Sequence, residues 1–241
     1  MKKLLLLSFL LLSSVSKAQD QFTSFRIDTS YSFTEISAVN GAGARARINS
    51  ISNPGLGLSL VEHWDQKNTT SIKFNYNAAK FEKSDAIPIE GLDQPLVSFG
   101  IKQTHSFSSW FRSSLGLFLE EQLFIRQNSP TTLTADKFLN PVLSLDAEFD
   151  LLKRKNMDLG AAINLDLTAP FRSDAYPGYE SAYNVNAAFG YGGTVYGRKY
   201  FKSFSLEGSL YYKTRSAHTT VADQTSINEG VAIRIAVPFG Y

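Results

Sequence analysis

The sequence predicts an all-β protein: a closed, antiparallel, up-and-down β-barrel of about ten strands. Three observations carry that expectation. Segment after segment alternates large apolar residues with small or charged ones, which is the period of a strand whose two faces meet different surroundings. No stretch sustains a helical period. Short and long connections alternate along the chain, as in a meander of hairpins.

The first residues, MKKLLLLSFLLLSSVSKAQD, read as an export signal. Lys2 and Lys3 precede an apolar run from Leu4 to Leu12, and Ser16 and Ala18 supply the small residues of a cleavage site. Cleavage is expected after Ala18, which leaves residues 19–241 as one barrel domain. The apolar run is too short to span a bilayer as a helix, which takes about 20 residues. Removing Lys2, Lys3 and Lys17 takes the 24 basic residues to 21, against 22 acidic ones. The remaining chain is nearly neutral, so nothing favours nucleic acid as a partner. There is no cysteine, so burial and hydrogen bonding alone hold the fold, without disulfide or lipidated cysteine.

Ten segments alternate. Phe25, Ile27, Tyr31 and Phe33 oppose Arg26, Asp28, Ser30 and Ser32. Leu56, Leu58 and Leu60 oppose Gly55, Gly57 and Ser59, and the same parity extends back to Ala46 and Ile48, with Arg45 and Arg47 on the polar side. Ile72, Phe74 and Tyr76 oppose Ser71, Lys73 and Asn75; Val97, Phe99 and Ile101 oppose Ser98, Gly100 and Lys102. Phe111, Leu115, Leu117, Leu119, Leu123 and Ile125 oppose Arg112, Ser114, Gly116, Glu120 and Gln122. Glu121 falls on their apolar face and predicts a bulge or register change. The remaining segments are 139–151, 157–168, 183–195, 203–215 and 231–241. In 183–195 the apolar set includes Tyr183 and Val185, and the last segment sets Val231, Ile233, Ile235, Val237, Phe239 and Tyr241 against Ala232, Arg234, Ala236 and Gly240.

Connections near residues 65–68, 105–109, 153–156 and 198–202 are short. Those at 35–44, 81–94, 127–137, 169–181 and 216–227 are longer and rich in turn-forming residues. An even strand number then leaves both termini at the short-turn end.

The polar faces are full of Gly, Ser, Asn and Ala, which suit a crowded interior better than a solvated surface. The apolar faces run for five or six alternate positions, about the 9–11 residues a tilted strand needs to cross hydrocarbon. Aromatics such as Tyr31, Trp64, Trp110, Tyr212 and Tyr241 sit towards strand ends, where a membrane barrel carries its aromatic girdles. The greasy face therefore meets lipid, and the barrel is transmembrane. A secreted soluble all-β domain is the other reading of the same alternation.

With these features the chain resembles small bacterial outer-membrane β-barrel proteins, over essentially all of residues 19–241. The resemblance implies outer-membrane lipid as surroundings. It also implies that the last strand, ending in Phe239 and Tyr241, is the signal read by the barrel-assembly machinery. It leaves activity open, because the class holds pores, enzymes, adhesins and anchors.

The polar faces place Arg26, Asp28, Lys73, Lys102, Arg112, Glu120, Asp146, Glu148, Asp158, Asp166, Glu207, Lys213 and Arg234 in the lumen. Asp146, Glu148, Asp150, Asp158 and Asp166 gather on two neighbouring strands, while the bases come mostly from the other walls. Acidic and basic walls in a narrow bore serve either a small-solute pore or a salt-bridge network that holds the barrel shut, and the second is favoured because ten strands leave little free bore. A small polar solute is the candidate passenger.

Enzymatic readings rest on the histidines. His218 with Asp223 in an outer connection echoes omptin-type proteases, and His105-Ser106 touches on lipid A deacylases without a longer motif. Neither supplies a nucleophile, base and orienting group together. No metal-ligand spacing and no cofactor motif is present. A surface-binding role for the outer loops is the remaining alternative.

Overall fold

The computed structural model describes residues 22–40, 43, 45–82, 89–90, 93–129, 132–172, 184–220 and 222–240. The signal segment with its cleavage site at Ala18, Tyr183 and Tyr241 lie outside the described residues. So do most of 81–94 and 169–181.

The described strands are β1 (Phe22–Asn40), β2 (Arg45–Ser52), β3 (Pro54–His63), β4 (Asn68–Ala78), β5 (Lys80–Phe81), β6 (Ile89–Glu90), β7 (Pro95–Ser106), β8 (Phe111–Ser129), β9 (Thr132–Arg154), β10 (Met157–Thr168), β11 (Phe171–Arg172), β12 (Asn184–Tyr200), β13 (Ser205–Thr219) and β14 (Ala222–Gly240). Ten of them form the wall, in the order β1, β3, β4, β7, β8, β9, β10, β12, β13, β14. β14 closes on β1 along the whole length of both, from Phe22↔Gly240 to Asn40↔Ala222. All wall pairings are antiparallel. The protein is thus a closed ten-stranded up-and-down barrel, which leaves no unpaired sheet edge around its middle.

Each proline inside a strand falls where that strand has only one barrel neighbour. Pro141 lies beyond the last β9–β10 pair, Val142↔Thr168, and Pro238 beyond the last β13–β14 pair, Ser205↔Ala236. A missing N–H costs no ladder bond there.

Through most of the wall the alternation works as the sequence implies. Leu210 is 63% exposed on the outside, whereas Glu207 is 7% exposed on the inside. Ile27, Leu58, Phe74, Phe99, Leu117, Leu143, Leu165, Tyr191, Ile233 and their neighbours make an apolar belt round the barrel.

Four expectations are corrected. First, the polarity of residues 45–48 is the reverse of that read from the sequence. Asn53 is an extra residue between β2 and β3, so pairing with β1 shifts by one, from Tyr31↔Pro54 to Glu35↔Asn49. A one-residue shift moves every side chain to the other face. Ile48 is therefore buried inside beside Ile36, and Arg47 lies outside in an ion pair with Glu35. Second, no bulge occurs at Glu121: β8 and β9 stay in register through it. Third, the segments 35–44, 127–137 and 216–227 are mostly strand, because β1, β8, β9, β13 and β14 extend well beyond the belt. Fourth, Leu123, Ile125 and Val185 do not join the outer apolar face but are buried. Above the belt, apolar side chains gain nothing from facing outward and pack inward instead.

Candidate functional site

The functional interest lies in the bore. Its short-turn half is filled by ion pairs and its long-connection end by a folded-in hairpin.

An acid–base chain runs around the inner wall. Arg234 on β14 contacts Asp28 at 2.5 Å and Glu207 at 2.8 Å; Glu207 contacts Arg198 at 2.5 Å. Arg198 approaches Glu148 at 3.5 Å, Glu148 takes Arg112 at 2.5 Å, and Arg112 reaches Asp150 at 2.9 Å. Asp150, on which Lys153 also closes at 3.0 Å, accepts the Tyr196 hydroxyl at 2.6 Å. A second group joins Glu120 to Arg215 at 2.8 Å, Arg215 to Asp166 at 3.2 Å, and Asp166 to Lys213 at 2.5 Å. Lys102 meets Asp146 at 2.7 Å, and Asp158 accepts from the Tyr200 hydroxyl at 2.6 Å. Arg215 on β13 and Glu120 on β8 come from distant walls, so their pairing crosses the bore.

Of the thirteen charges placed in the lumen from the sequence, eleven are tied into these contacts. Arg26 and Lys73 flank Ser59 on β1 and β4, and neither forms an ion pair with a described residue. Arg198 was not among the expected residues because 198–202 reads as a turn. Its signal was parity: Gly190, Gly192, Thr194, Tyr196 and Arg198 continue one face. Phe239 pairs with Thr23 through its backbone, but its side chain, like all of Tyr241, is not among those described.

Small residues make room for larger neighbours. A Cβ on Gly116 would lie 2.5 Å from the Phe118 ring, and one on Gly160 would lie 2.3 Å from the Tyr196 hydroxyl. Both rings lie against the wall where a side chain would otherwise stand.

The long-connection end is built differently. β7 leaves β8 after Ser98↔Glu120, and β10 leaves β9 after Val142↔Thr168. Beyond those points β8 and β9 continue as a hairpin, whose β9 arm also pairs in parallel with β6 at Ile89↔Leu133 and Glu90↔Thr134. Leu123, Phe124 and Ile125 are all at least 94% buried, and three consecutive buried residues in a strand mean that both faces are covered. One face packs Leu123, Ile125 and Ala135 against Ile36, Ile48 and Phe81; the other packs Phe124 and Phe138 against Val185, Ala188 and Ala217. The hairpin lies across the barrel mouth between opposite walls. Glu121 marks the point of departure: its carboxylate accepts the Val97 N–H at 2.9 Å, in place of a ladder bond, and meets Lys137 at 3.1 Å.

A partly open cavity of about 330 Å³ remains beneath the hairpin, between it and the walls of β1, β3, β4, β7, β13 and β14.

In overall shape the chain is similar to the outer membrane protease OmpT of Escherichia coli. The match has a TM-score of 0.54 over 94% of this chain and 99% of that one, at 9% identity. The fold is that of an outer-membrane β-barrel. The COG4313 outer membrane channel of Pseudomonas putida F1 (TM-score 0.48, 10% identity, 93% of this chain and 98% of that one) and LpxR of Salmonella typhimurium (0.45, 10%, 90% and 100%) are further solved structures with a match. No protein-family model and no curated protein matches the sequence.

The histidines are dispersed. His218 hydrogen-bonds Asp223 across the β13–β14 hairpin, with both side chains about two-thirds exposed. His105 shares a 2.8 Å hydrogen bond with Asn68 and packs edge-on against Phe107 at the short-turn end. Among the described residues no group of three or more His, Asp or Glu is arranged to hold a metal ion.

Proposed function

We propose that the protein is an integral outer-membrane barrel whose resting bore is shut, a structural barrel rather than an open porin. Support for the membrane setting comes from the apolar belt. Such a surface is unfavourable in water at roughly 25 cal/mol per Å², whereas lipid accepts it. On this reading the chain is exported, its signal is cleaved after Ala18, and the assembly machinery reads the strand ending in Phe239 and Tyr241. The observation that carries the closed state is the β8–β9 hairpin, buried on both faces across the mouth. Charges paired across the bore support it further.

Planar-bilayer recording tests the proposal. The full-length folded protein is expected to give no stable single-channel current, and a variant with residues 124–137 replaced by a short turn is expected to conduct. Steady current from the unaltered protein would overturn the closed reading in favour of a small-solute pore.

A rim enzyme is the second reading, and the His218–Asp223 hydrogen bond is the observation behind it. Unchanged peptide or lipid hydrolysis after His218→Ala would remove it.

A further inference from the structure

The short turns of the barrel differ in charge. The β3–β4 turn carries one acid and one base, Asp65 and Lys67, and the β7–β8 turn at residues 107–110 carries neither. The β9–β10 and β12–β13 turns bring together Lys153, Arg154, Lys155, Lys199 and Lys202, with no acid among residues 151–157 or 199–205. β9, β10, β12 and β13 are consecutive in the wall, and the Tyr200 N–H donates to the Asn156 carbonyl at 2.9 Å, so the two turns form one surface. Lys153 is held by Asp150 at 3.0 Å. Arg154, Lys155, Lys199 and Lys202 are exposed, and none is in an ion pair with a described residue.

Two of these bases stand on the outside of the wall, at the edge of the apolar belt. Met157 pairs with Arg154 on one side and Lys199 on the other, so the three share the outer face at one level. Two strand spacings put the Arg154 and Lys199 backbones about 9–10 Å apart, near enough for both long side chains to close on one group between them. The next row into the belt is Leu152, Leu159 and Gly197, and Lys199 itself stands opposite Leu206. Leu152, Met157, Leu159 and Leu206 are all exposed on the outer surface. On the turn side the exposed rings of Phe201 and Phe204 stack at 4.5 Å, and Lys199 Nζ lies 5.3 Å from the Phe201 centroid, turned away from the belt. Apolar surface on one side and cations with aromatic rings on the other match an amphiphile with an anionic head group. A soluble anion would use the cations and not the leucines; a neutral lipid would use the leucines and not the cations.

We infer that the outer face at these two turns holds an anionic phospholipid of the leaflet that the short turns meet. Arg154 and Lys199 bracket its phosphate over Met157, Lys155 and Lys202 stand in the same head-group layer, and its acyl chains lie along Leu152, Leu159 and Leu206. The inference rests on the membrane setting proposed above, and it holds whether or not the bore conducts.

Native mass spectrometry of the full-length, detergent-folded protein tests it, with dioleoylphosphatidylglycerol and dioleoylphosphatidylcholine titrated separately. Saturable retention of phosphatidylglycerol in preference to phosphatidylcholine is expected. Each charge removed lowers that preference about fivefold, so Lys199→Gln costs about fivefold and Arg154→Gln with Lys199→Gln about 25-fold. Lys67→Gln, at a turn on the opposite side of the barrel, leaves it unchanged. Heat-modifiable gel migration verifies that each barrel is folded. Three results would each overturn the assignment: equal retention of the two lipids, a preference unaltered in the folded double variant, or a loss on Lys67→Gln as large as on Lys199→Gln. Flotation with pure phosphatidylcholine vesicles reads the membrane setting separately. A protein that does not float with them overturns that setting and this inference together, whereas one that floats without preferring phosphatidylglycerol overturns this inference alone.

Discussion

Gln224 and Ile125 are 99 residues apart and on opposite sides of the barrel, yet the Gln224 side-chain carbonyl accepts the Ile125 N–H at 2.8 Å. Its amide group also donates to the Leu123 carbonyl at 2.7 Å. Gln224 thus supplies both halves of a ladder contact to the edge of β8 that β7 has abandoned. Together with Glu121, which engages Val97 at the parting point, it lets a strand leave the wall without orphaned backbone groups.

Replacing Gln224 by Leu therefore exposes a specific weakness. Two buried backbone groups lose their partners, at a cost of about 1–3 kcal/mol carried by the hairpin rather than by the wall. Hydrogen exchange at the Ile125 amide is expected to accelerate by roughly 5- to 150-fold, with amides of the belt unaffected. Uniform exchange changes across the barrel would refute a local role.

Phe118 and the glycines beneath it offer a pair of contrasting tests. Gly116→Ala places its new methyl only against the Phe118 ring, so about 1–3 kcal/mol of destabilisation is expected, most of it relieved by adding Phe118→Ala. Gly100→Ala meets the Leu117 carbonyl oxygen at 2.5 Å as well as the ring, so the same second change relieves little. Urea-induced unfolding followed by gel mobility distinguishes the two.

Asp166 is 2% exposed and serves both Lys213 and Arg215. Asp166→Asn leaves Lys213 without a carboxylate, while Arg215 keeps Glu120. The expected loss is about 1–3 kcal/mol, less than for a fully buried pair because Lys213 retains access to water. Asp166→Asn with Lys213→Met is expected to recover part of the loss. The thermal midpoint of the heat-modifiable gel band measures both; a double variant less stable than the single would argue against the pairing.

Acid sensitivity is expected at the short turn after β3. The Asp65 carboxylate accepts from the Asn68 side chain at 2.7 Å and from the Lys67 and Asn68 N–H groups at 2.6 and 2.7 Å, which holds its pKa below the usual value. A lowered folded pKa means that the turn's stabilisation is complete above the unfolded pKa, near 4, and is lost as pH falls through the folded one. Asp65→Asn should loosen the turn at neutral pH and match the unaltered protein in strong acid, read as exchange of the Asn68 amide.

Legibility in the sequence followed the solvent on each side of a strand. Where the outer face of the wall is apolar and the bore polar, alternation is the visible signal, and Asp166, Glu207 and Arg234 lie on the polar faces of their strands. The hairpin escaped because Leu123, Phe124 and Ile125 are consecutive apolar residues, and a parity reading assigns such a run to one face or the other. The run itself was the clue to a strand buried on both sides. Asn53 escaped for a different reason: one extra residue inverts the faces of β2, and no local pattern announces it. Arg198 was hidden because residues 198–202 read as a short connection, whereas β12 runs on to Tyr200.

The amino-acid sequence by itself determined the barrel and its strand count, because these follow from a two-residue period repeated along strands with two unlike faces. Only the tertiary structure decided which charges pair across the bore, that β8 and β9 turn into the mouth, and where a cavity remains beneath them. Those depend on contacts between walls far apart in the chain, such as Gln224 with Ile125, and such contacts leave no periodic trace in either segment.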